Sequence, residues 1–292
     1  MADTVTVIAA GEMGAGIGKR LSERGARVLT SLKGRGTGSA KRATEAGMSD
    51  ASDDEIVAQS DFILSVVPPG QAVALAERFK APLARAKRKP VYVDCNAIAP
   101  KTAEQIGTRL ADTGAHYVDG GIIGGPPAPN YSPSIYVSGP HASEAKRLAG
   151  YGLNVRPIDG GIGAASALKM SYAGITKGTT AIGIALLLGA SRYGCAQELK
   201  QEMSESQPQL LQRFSRQVPG SFPKAYRWVA EMEEIAAFLG EDPAAREMFL
   251  GIAKLYERIA EGAAKQSPAA AAELDALLQF CSASPTAQSK VG

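Results

Sequence analysis

The stretch VTVIAAGEMGAGIGKRL (residues 5–21) decides the fold that the rest of this chain follows. An apolar run typical of a buried strand meets a cluster of small residues, and a helical pattern begins immediately after it. Glycines at such a junction allow a tight turn, let a pyrophosphate approach the backbone, and let the helix pack close to the strand. The pattern is Ala9-x-Gly11-x-x-Gly14, with alanine where the first glycine of this fingerprint stands. A plain strand-to-helix turn is the alternative interpretation.

The start of the following helix is the predicted phosphate site, because unpaired N–H groups and the positive end of the helix dipole favour an anion. The residues that would form this site are Ala10, Gly11, Glu12, Met13 and Gly14. A dinucleotide fold usually carries an acid about 20 residues further on for the ribose hydroxyls, yet no acid occurs between Glu23 and Glu45. That region offers Ser31, Lys33 and Arg35, and a hydroxyl with cations suits a 2′-phosphate. The sequence therefore favours NADP, with NAD possible and a solvated basic loop as the alternative.

Two zones with different patterns follow one another along the chain. Up to about residue 160, short apolar runs alternate with amphipathic stretches, which predicts a mainly parallel sheet with helices on both faces. Strand signals then stop and helix formers dominate. We expect a doubly wound, Rossmann-type α/β domain over residues 1–160 and an all-helical domain over residues 161–292. Residues 282–292 are small and polar and are predicted to fray.

Composition argues against several classes of function. The net charge of +3 is too small to indicate a nucleic acid or a membrane surface as the partner. The most apolar helical stretch, residues 181–190, is shorter than a bilayer requires, so we expect a buried core helix there. Three widely spaced cysteines indicate a reduced, cytoplasmic setting. Neither they nor His116 and His141 have the spacing of metal ligands, so no metal is expected.

Several segments, in chain order, resemble the motifs of the β-hydroxyacid dehydrogenases, relatives of 6-phosphogluconate dehydrogenase. They are VIAAGEMG (residues 7–14), DFILSVVPPGQAV (61–73), VDCNAIAP (93–100), VDGGIIGGPPAP (118–129) and GIGAASALKMSYAG (161–174). The resemblance implies that Val67, Pro68 and Pro69 line a nicotinamide cofactor together with Asn96.

The family's catalytic lysine corresponds to Lys169 in the last of these segments. The resemblance implies that this side chain takes the proton of a substrate hydroxyl as hydride leaves, or returns it in the reductive direction. Its neighbours in AASALKMSYAG are apolar or small, which argues against a surface lysine on an amphipathic helix. Tyr172 stands where the family has an asparagine and shares a helix face with Lys169. It is a second catalytic candidate, and core packing explains it equally well.

The predicted substrate-binding motif departs from the family pattern. The serine that contacts a substrate carboxylate in the family is replaced by Ile123, and the serine of the D-x-S-T motif by Asn96. Gly124 and Gly125 still offer backbone N–H groups to an anion or a carbonyl oxygen. We therefore expect Asn96, Ile123, Gly124 and Gly125 to contact a substrate in a pocket less polar than that of the family.

The helical domain contributes Trp228, the chain's only tryptophan, and Glu231 as further substrate-binding candidates. Tyr226 and Met232 lie close in sequence and would complete a wall for an aromatic or larger substrate. A structural helix with charge pairs four residues apart explains the same residues equally well.

The leading hypothesis is an NADP-preferring oxidoreductase that transfers hydride between nicotinamide and a 3-hydroxy acid or a related hydroxy or carbonyl compound. The alternatives are an imine reductase, a class that typically replaces the lysine, a decarboxylating hydroxyacid dehydrogenase, and a non-catalytic nucleotide-binding sensor or scaffold. The long apolar helix, about residues 163–189, requires burial beyond one small domain, and relatives bury it in a dimer. A homodimer through the helical domain is therefore expected, whereas the substrate itself is not specified.

Overall fold

The computed structural model describes residues 2–282, so all of the predicted frayed tail except Ser282 lies outside the described part of the chain.

One eight-stranded sheet dominates the first part of the chain. Its strands are β1 (Thr4–Ile8), β2 (Arg27–Thr30), β3 (Met48–Asp50), β4 (Phe62–Ser65), β5 (Val91–Asp94), β6 (His116–Ile123), β7 (Ser134–Ser138) and β8 (Asn154–Pro157). They lie in the order β3-β2-β1-β4-β5-β6-β7-β8, and every neighbouring pair is parallel except β6 and β7. The order reverses between β1 and β4, which is where open α/β sheets bind ligands beyond the carboxyl ends of their strands. The predicted doubly wound, mainly parallel sheet is confirmed.

Helices connect the strands and then continue without them. The α-helices between strands are α1 (Glu12–Glu23), α2 (Thr37–Glu45), α3 (Asp53–Gln59), α4 (Ala72–Arg85) and α5 (Pro100–Ala111). Those after the sheet are α6 (Ala164–Ala173), α7 (Thr179–Arg192), α8 (Ala196–Ser206), α9 (Pro208–Ser221), α10 (Ala225–Phe238), α11 (Pro243–Ala264) and α12 (Pro268–Cys281). Short 3₁₀ segments are Pro69–Gln71, Ala142–Tyr151 and Phe222–Lys224, and a π-helical turn covers Gly174–Gly178.

Alternation of side chains along the strands explains why both faces of the sheet are covered. Val5 and Val7 of β1 belong to one core cluster with Ile17 of α1. Ile8 faces the opposite side and packs in a second cluster that includes Phe79 of α4. Because successive side chains of a strand point to opposite faces, a continuous apolar run such as β1 requires helices on both sides.

Three secondary-structure elements were not predicted from the sequence. β3 has only three residues, of which Met48 alone is buried, so it carries no apolar run. α3 follows it, and its signal was available: Ser52 and Glu55 form a capping box in which each side chain accepts the other residue's backbone N–H. α8 is mostly polar and therefore lacks a clear apolar face in the sequence.

Backbone contacts divide the chain into two compact units, one up to Tyr172 and one from Ala173 onward, which we call the sheet unit and the helical unit. The predicted domain boundary after residue 160 follows the end of the strand pattern. The first turn of α6, however, is hydrogen-bonded to β6 through Asp119, which explains why the sheet unit extends beyond that point.

A single helix of 29 residues, Ala164–Arg192, contains α6, the π-helical turn and α7. By length and composition it would suffice to cross a membrane, with a mean hydropathy of 1.4 over its most apolar window. Half of that window is buried inside the protein, and core helices of soluble proteins meet the same criterion, so the indication of a membrane span is weak. The long apolar helix expected over about residues 163–189 is present, although the length argument against a membrane span used only its residues 181–190.

Candidate active site

The glycine-rich turn has the geometry that a dinucleotide requires. α1 begins at Glu12 with Gly11 at its N-cap, and no side chain of the described residues caps it. A Cβ atom on Gly11 would have no protein atom within 4 Å, so the turn is open on the side where a phosphate would approach. A Cβ on Gly14 would lie 1.9 Å from the carbonyl oxygen of Ala9, so only glycine fits there. Ala9 is accommodated in the turn because the close approach falls on Gly14.

Asn96, predicted to contact both cofactor and substrate, lies just beyond β5 and is buried. Its side-chain oxygen accepts the backbone N–H of Val67 at 2.6 Å, and its amide nitrogen donates to Ser65 Oγ at 2.7 Å. The side chain therefore holds the segment that leads from β4 into Pro68 and Pro69. Its first role in this structure is to position the predicted cofactor-binding turn.

Asp94, at the end of β5, is buried with one carboxylate oxygen on the backbone N–H of Asn96 at 2.9 Å. The other oxygen, Oδ2, has no hydrogen-bond partner among the described residues. Burial raises the pKa of Asp94 to about 7, the bond from Asn96 opposes this, and the neighbouring charge of Asp119 adds to the rise. The group is therefore protonated over part of the physiological pH range, a feature that the sequence did not indicate.

A cavity of about 550 Å³ lies beyond the carboxyl ends of β2 and β3. Its lining residues are Ser31, Leu32, Lys33, Asp50, Ala51, Ser52, Asp53, Asp54 and Glu55. The basic loop therefore faces acids contributed by β3 and α3, which the sequence analysis did not consider because it looked only as far as Glu45.

The acids of this cavity are already engaged by the protein. Asp50 accepts the backbone N–H of Leu32, and Glu55 accepts from Ser52 in the capping box. Two salt bridges, Arg78 with Asp53 and Arg85 with Asp54, engage the other two acids.

The residues predicted to bind a 2′-phosphate differ in their surroundings. Ser31 is buried and its Oγ accepts from Arg78 at 2.6 Å. Lys33 and Arg35 have no ion-pair partner anywhere in residues 2–282. Arg42 donates through Nε to the carbonyl oxygen of Ala10 at 3.0 Å, which places a further cation beside the glycine-rich turn.

Lys169 is half-buried in α6, and its backbone packs directly against the sheet. A Cβ on Gly121 of β6 would lie 2.9 Å from Lys169 Cβ, so glycine at that position is what allows the helix to approach. The expectation that Lys169 avoids a solvated face agrees with this burial. Tyr172 lies three residues later on the same helix and is 52% exposed, so it is not a core residue of this chain.

Asp119 of β6 fixes the start of the helix that carries Lys169. One of its carboxylate oxygens accepts from Ser138 Oγ and from the backbone N–H groups of Gly163 and Ser166 at 3.0 to 3.1 Å. The other accepts from Ser166 Oγ at 2.6 Å. A buried carboxylate with four donors, two of them from the first orphan N–H groups of a helix, acts as a cap supplied by a neighbouring strand. Sequence reasoning missed this role, although the D of the VDGG motif was its signal.

The predicted substrate motif is folded back on itself. Ile123 ends β6, and the backbone N–H of Gly125 donates to Tyr131 Oη at 3.2 Å. The expectation that both Gly124 and Gly125 offer free N–H groups is therefore wrong for Gly125. A β-bridge between Ala128 and Tyr131 brings the tyrosine back to this position.

In the helical unit, Trp228 and Glu231 lie on α10 beside Lys177 of the π-helical turn. Lys177 Nζ forms an ion pair with Glu231 and lies 5.2 Å from the centre of the Trp228 ring. Trp228 in turn packs edge-on against Tyr256 at 5.1 Å. The structure therefore brings both predicted residues together around a lysine that the sequence analysis did not single out.

Two neighbours predicted to complete this wall lie elsewhere. Met232 is fully buried in the core of the helical unit, and Tyr226 is 67% exposed. They are six residues apart, which places them on different faces of a helix with 3.6 residues per turn. The suggested aromatic wall of Tyr226, Trp228 and Met232 is therefore wrong.

His116 and His141, 25 residues apart in the sequence, stack on one another with ring centres 3.8 Å apart. Nδ1 of His116 and Nδ1 of His141 lie 2.8 and 2.9 Å from the same carboxylate oxygen of Glu144. Partial burial opposes the effect, but the two imidazoles lower the pKa of Glu144. The three side chains form a group with metal-ligand atoms within 4.8 Å of one another, which sequence spacing did not reveal. That the protein binds no metal stays a prediction.

The chain can now be compared with known proteins. Residues 4–149 match the family described as the NAD binding domain of 6-phosphogluconate dehydrogenase, and residues 190–259 match a domain of unknown function (DUF1932). A conserved protein of unknown function, whose structure was described as similar to 3-hydroxyacid dehydrogenases, is 28% identical. It has a TM-score of 0.71, over 90% of this chain and 98% of that chain.

Two less similar structures share the fold. A 3-hydroxyisobutyrate dehydrogenase from Mycobacterium tuberculosis, solved with L-serine, has a TM-score of 0.67 at 18% identity, over 97% of this chain and all of that chain. An imine reductase variant from Myxococcus stipitatus, solved with NAD+, has a TM-score of 0.60 at 19% identity, over 95% of this chain and all of that chain. The chain thus belongs to the family of the NAD-binding domain of 6-phosphogluconate dehydrogenase, continued by a helical C-terminal region.

Proposed function

We propose that this protein is an NADP-preferring oxidoreductase that transfers hydride between nicotinamide and a 3-hydroxy acid or a related hydroxy or carbonyl compound. The observation that carries the proposal is Lys169, half-buried on a helix that Asp119 anchors to the strand of the predicted substrate motif. A lysine held in this way suits proton transfer better than a mobile surface lysine does, because its position is fixed before a substrate binds.

The residues of the sheet unit fit a dinucleotide. Gly11 leaves the turn open, Gly14 lets α1 start close to the strand, and Asn96 holds the turn at Val67 in place. When bound, the nicotinamide ring accepts or supplies the hydride. In the oxidative direction, neutral Lys169 takes the proton from the substrate hydroxyl. In the reductive direction, the same nitrogen as ammonium donates the proton to the carbonyl oxygen.

The preference for NADP rests on the cations of the basic loop. Lys33 lines the cavity beyond β2 and β3, Arg35 follows two residues later in the sequence, and neither has an ion-pair partner among the described residues. A 2′-phosphate would gain charge-assisted hydrogen bonds from such cations.

The first experiment is a fluorescence titration of the protein with NADPH and with NADH. We expect NADPH to bind more tightly, and the double variant Lys33→Ala/Arg35→Ala to lose this preference. Lys19→Ala/Lys87→Ala removes two exposed cations away from the cavity and serves as the control. Equal binding of the two nucleotides would refute the NADP preference. Binding of neither nucleotide would refute the proposal that the protein is a nicotinamide-dependent enzyme.

The second experiment measures turnover of a panel of 3-hydroxy acids with wild type and Lys169→Ala. Removal of the proton-transfer group should reduce the rate by about 10²- to 10⁴-fold while nucleotide affinity stays unchanged. A protein that binds nucleotide but turns over nothing would instead support the non-catalytic sensor.

Imine reduction is a second candidate, favoured by the substrate motif. Ile123 replaces the polar anchor of that motif and Gly125 N–H is already bonded to Tyr131, so a carboxylate has fewer donors there than the family pattern provides. Cyclic imines belong in the same assay, and turnover of imines without turnover of hydroxy acids would select this function.

We propose further that the protein is a homodimer formed through the helical unit. Ile175, Ile182, Leu186 and Tyr193 are 49% to 89% exposed at helical spacing along the long helix. A continuous apolar stripe of this kind usually meets another protein surface. Leu186→Glu should yield monomers in light scattering, whereas Met248→Glu, at an exposed apolar residue outside the stripe, should not. A monomeric wild type would contradict the proposal.

The cytoplasm is the compartment we propose, since Cys95, Cys195 and Cys281 are all free thiols. Localisation of a tagged protein by cell fractionation tests it.

A further inference from the structure

We propose that the helical unit contains a binding site for a small carboxylate, in a pocket beside Trp228. The pocket has a volume of about 260 Å³. Its lining residues, which define what we call the Trp228 pocket, are Thr176, Lys177, Thr180, Arg216, Gln217, Gly220, Lys224 and Trp228. All of them belong to the helical unit, so the site does not depend on the proposed hydride transfer.

The charge of the Trp228 pocket is positive. Arg216 and Lys224 line it, and neither has an ion-pair partner within residues 2–282. Lys177 is paired with Glu231, so its charge is balanced within the unit. Two unbalanced cations in one concave surface concentrate positive potential there and attract an anion.

The wall of the pocket is held in place before any ligand arrives. Lys177 lies over the ring of Trp228, and Tyr256 donates from its hydroxyl to the carbonyl oxygen of Lys177 at 2.8 Å. The π-helical turn that carries Lys177 is a rare element that occurs frequently at functional sites. A side chain that is already ordered loses little freedom on binding, which favours affinity.

The lining also carries neutral polar groups. Thr180 and Gln217 are hydrogen-bonded to one another at 2.9 Å, and Arg213 donates to Gln217 at 3.1 Å. The side-chain oxygen of Gln217 thus accepts from its neighbours, which directs its amide N–H groups to other partners. Amide donors beside an arginine suit a carboxylate, which accepts several hydrogen bonds in one plane.

The size of the pocket and the indole in its wall restrict which ligands it can hold. The volume lies below that of pockets for drug-sized ligands, so a nucleotide is too large and a molecule of a few carbon atoms fits. The indole of Trp228 provides an apolar contact for a short carbon chain. We therefore assign the pocket to a short aliphatic dicarboxylate, whose two charges match Arg216 and Lys224 and whose carbon chain contacts the indole.

Trp228 also makes the site directly measurable. It is the only tryptophan, so its fluorescence reports on this pocket without contributions from elsewhere in the chain. The full-length protein is titrated, without nucleotide and at constant ionic strength, with malonate, with phosphate, and with the uncharged analogue malonamide. We expect a saturable change with malonate alone, at dissociation constants of about 0.1 to 10 mM.

Variants of the two pocket cations and one control variant test the assignment of residues. Arg216→Gln and Lys224→Gln should each weaken malonate binding by about 10-fold, and the double variant more. Lys254→Gln removes one exposed cation of the helical unit outside the pocket and should leave binding within about twofold of wild type. Thermal unfolding checks that each variant is folded. If Arg216→Gln is not folded, Arg216→Lys replaces it; this variant keeps the charge, loses the planar fork and should still weaken malonate binding.

The alternative outcomes each overturn the proposal. Equal responses to malonate and malonamide would show that charge plays no part. Equal or tighter binding of phosphate would indicate a general anion site and not one for carboxylates. If Arg216→Gln and Lys224→Gln leave malonate binding unchanged, or if the titration does not saturate, the Trp228 pocket is not a carboxylate site.

Discussion

The sheet unit and the helical unit hold their polar side chains in place in different ways. In the sheet unit, Asn96 lies just beyond β5 and Asp119 lies within β6, and both are buried with backbone N–H groups as partners. In the helical unit, Lys177 and Glu231 pair across two helices, 54 residues apart in sequence, and both side chains remain 17% exposed. The backbone N–H groups that Asp119 and Asn96 bind are placed by the strand order of a common fold. The pair of Lys177 and Glu231 instead requires two particular side chains, and relatives with the same fold can replace either of them.

The largest effect expected is at the glycine-rich turn. Gly14→Ala would place a Cβ 1.9 Å from the carbonyl oxygen of Ala9, so either α1 or the turn must move. We expect a loss of at least about 4 kcal/mol in the free energy of unfolding, measured by urea denaturation.

Gly11→Ala is the matched control for that substitution. Its Cβ would meet no protein atom within 4 Å, so stability should change by less than about 1 kcal/mol. Nucleotide affinity should nevertheless fall by about 10-fold or more, because the added methyl lies where the phosphate approaches. A stable Gly14→Ala protein, or a Gly11→Ala protein that binds nucleotide normally, would contradict this division of roles.

The second prediction concerns the anchor of the helix that carries Lys169. Asp119→Asn keeps the shape of the side chain, but the amide NH₂ group that replaces one carboxylate oxygen cannot accept a hydrogen bond. At least one of the four hydrogen bonds that Asp119 accepts is therefore lost. We expect a loss of about 3 kcal/mol in the free energy of unfolding. If the anchor also positions Lys169, turnover should fall more than nucleotide affinity does.

Ser138→Ala provides a graded comparison, because it removes one bond to Asp119 and the bond from the backbone N–H of Ala165 while leaving the carboxylate in place. Its cost should be smaller, about 1 kcal/mol. Equal stability of Asp119→Asn and wild type would show that the carboxylate is not the anchor.

The third prediction is a pH dependence that the sheet unit alone should show. Burial raises the pKa of Asp94 to about 7 from an ordinary value of 3.8. Between these two values the folded state binds a proton that the unfolded state has released, so stability falls as pH rises. This group should lower the free energy of unfolding by about 2 to 3 kcal/mol between pH 5 and pH 8.

Asp94→Asn removes the titration and should flatten that part of the stability profile, as measured by urea denaturation across the pH range. Asp112→Asn, at the exposed end of α5, retains the wild-type profile and is the control. A profile unchanged by Asp94→Asn would show that the buried carboxyl is not what titrates.

These contrasts explain how far sequence reasoning could reach. The glycine turn and the parallel sheet could be predicted because each depends on local spacing or on the order of strands and helices. Lys169 was selected by the family resemblance, and its catalytic role stays a prediction. The pairing of Gly125 N–H with Tyr131 could not, because a hairpin register set by the bridge at Ala128 decides it.

The missed features of the helical unit have a related cause. Helical periodicity indicates which residues share a face, but it does not indicate which other helix that face meets. The sequence placed Trp228 and Glu231 near one another on one helix but did not indicate Lys177, which contacts both from another helix. That Trp228 and Glu231 bind a substrate stays a prediction. In the same way, Asp50 and Asp53 were not considered at the basic loop because β3 and α3 were not recognised.

The smallest expected effect returns to the ion pair of the helical unit. Glu231→Gln leaves the charge of Lys177, which is largely buried against Trp228, without its carboxylate, and we expect a loss of about 1 kcal/mol in the free energy of unfolding. Glu261→Gln breaks a pair with Lys265 that is exposed on both sides and should give no measurable change. The tryptophan fluorescence of Glu231→Gln should also shift, because the cation above the indole ring loses its counter-charge. If both variants are equally stable and Trp228 fluorescence is unaltered, the pair is no more than a surface contact. The Lys177 side of the Trp228 pocket would then not be held in place before a ligand binds, and only Arg216 and Lys224 would be left to attract an anion.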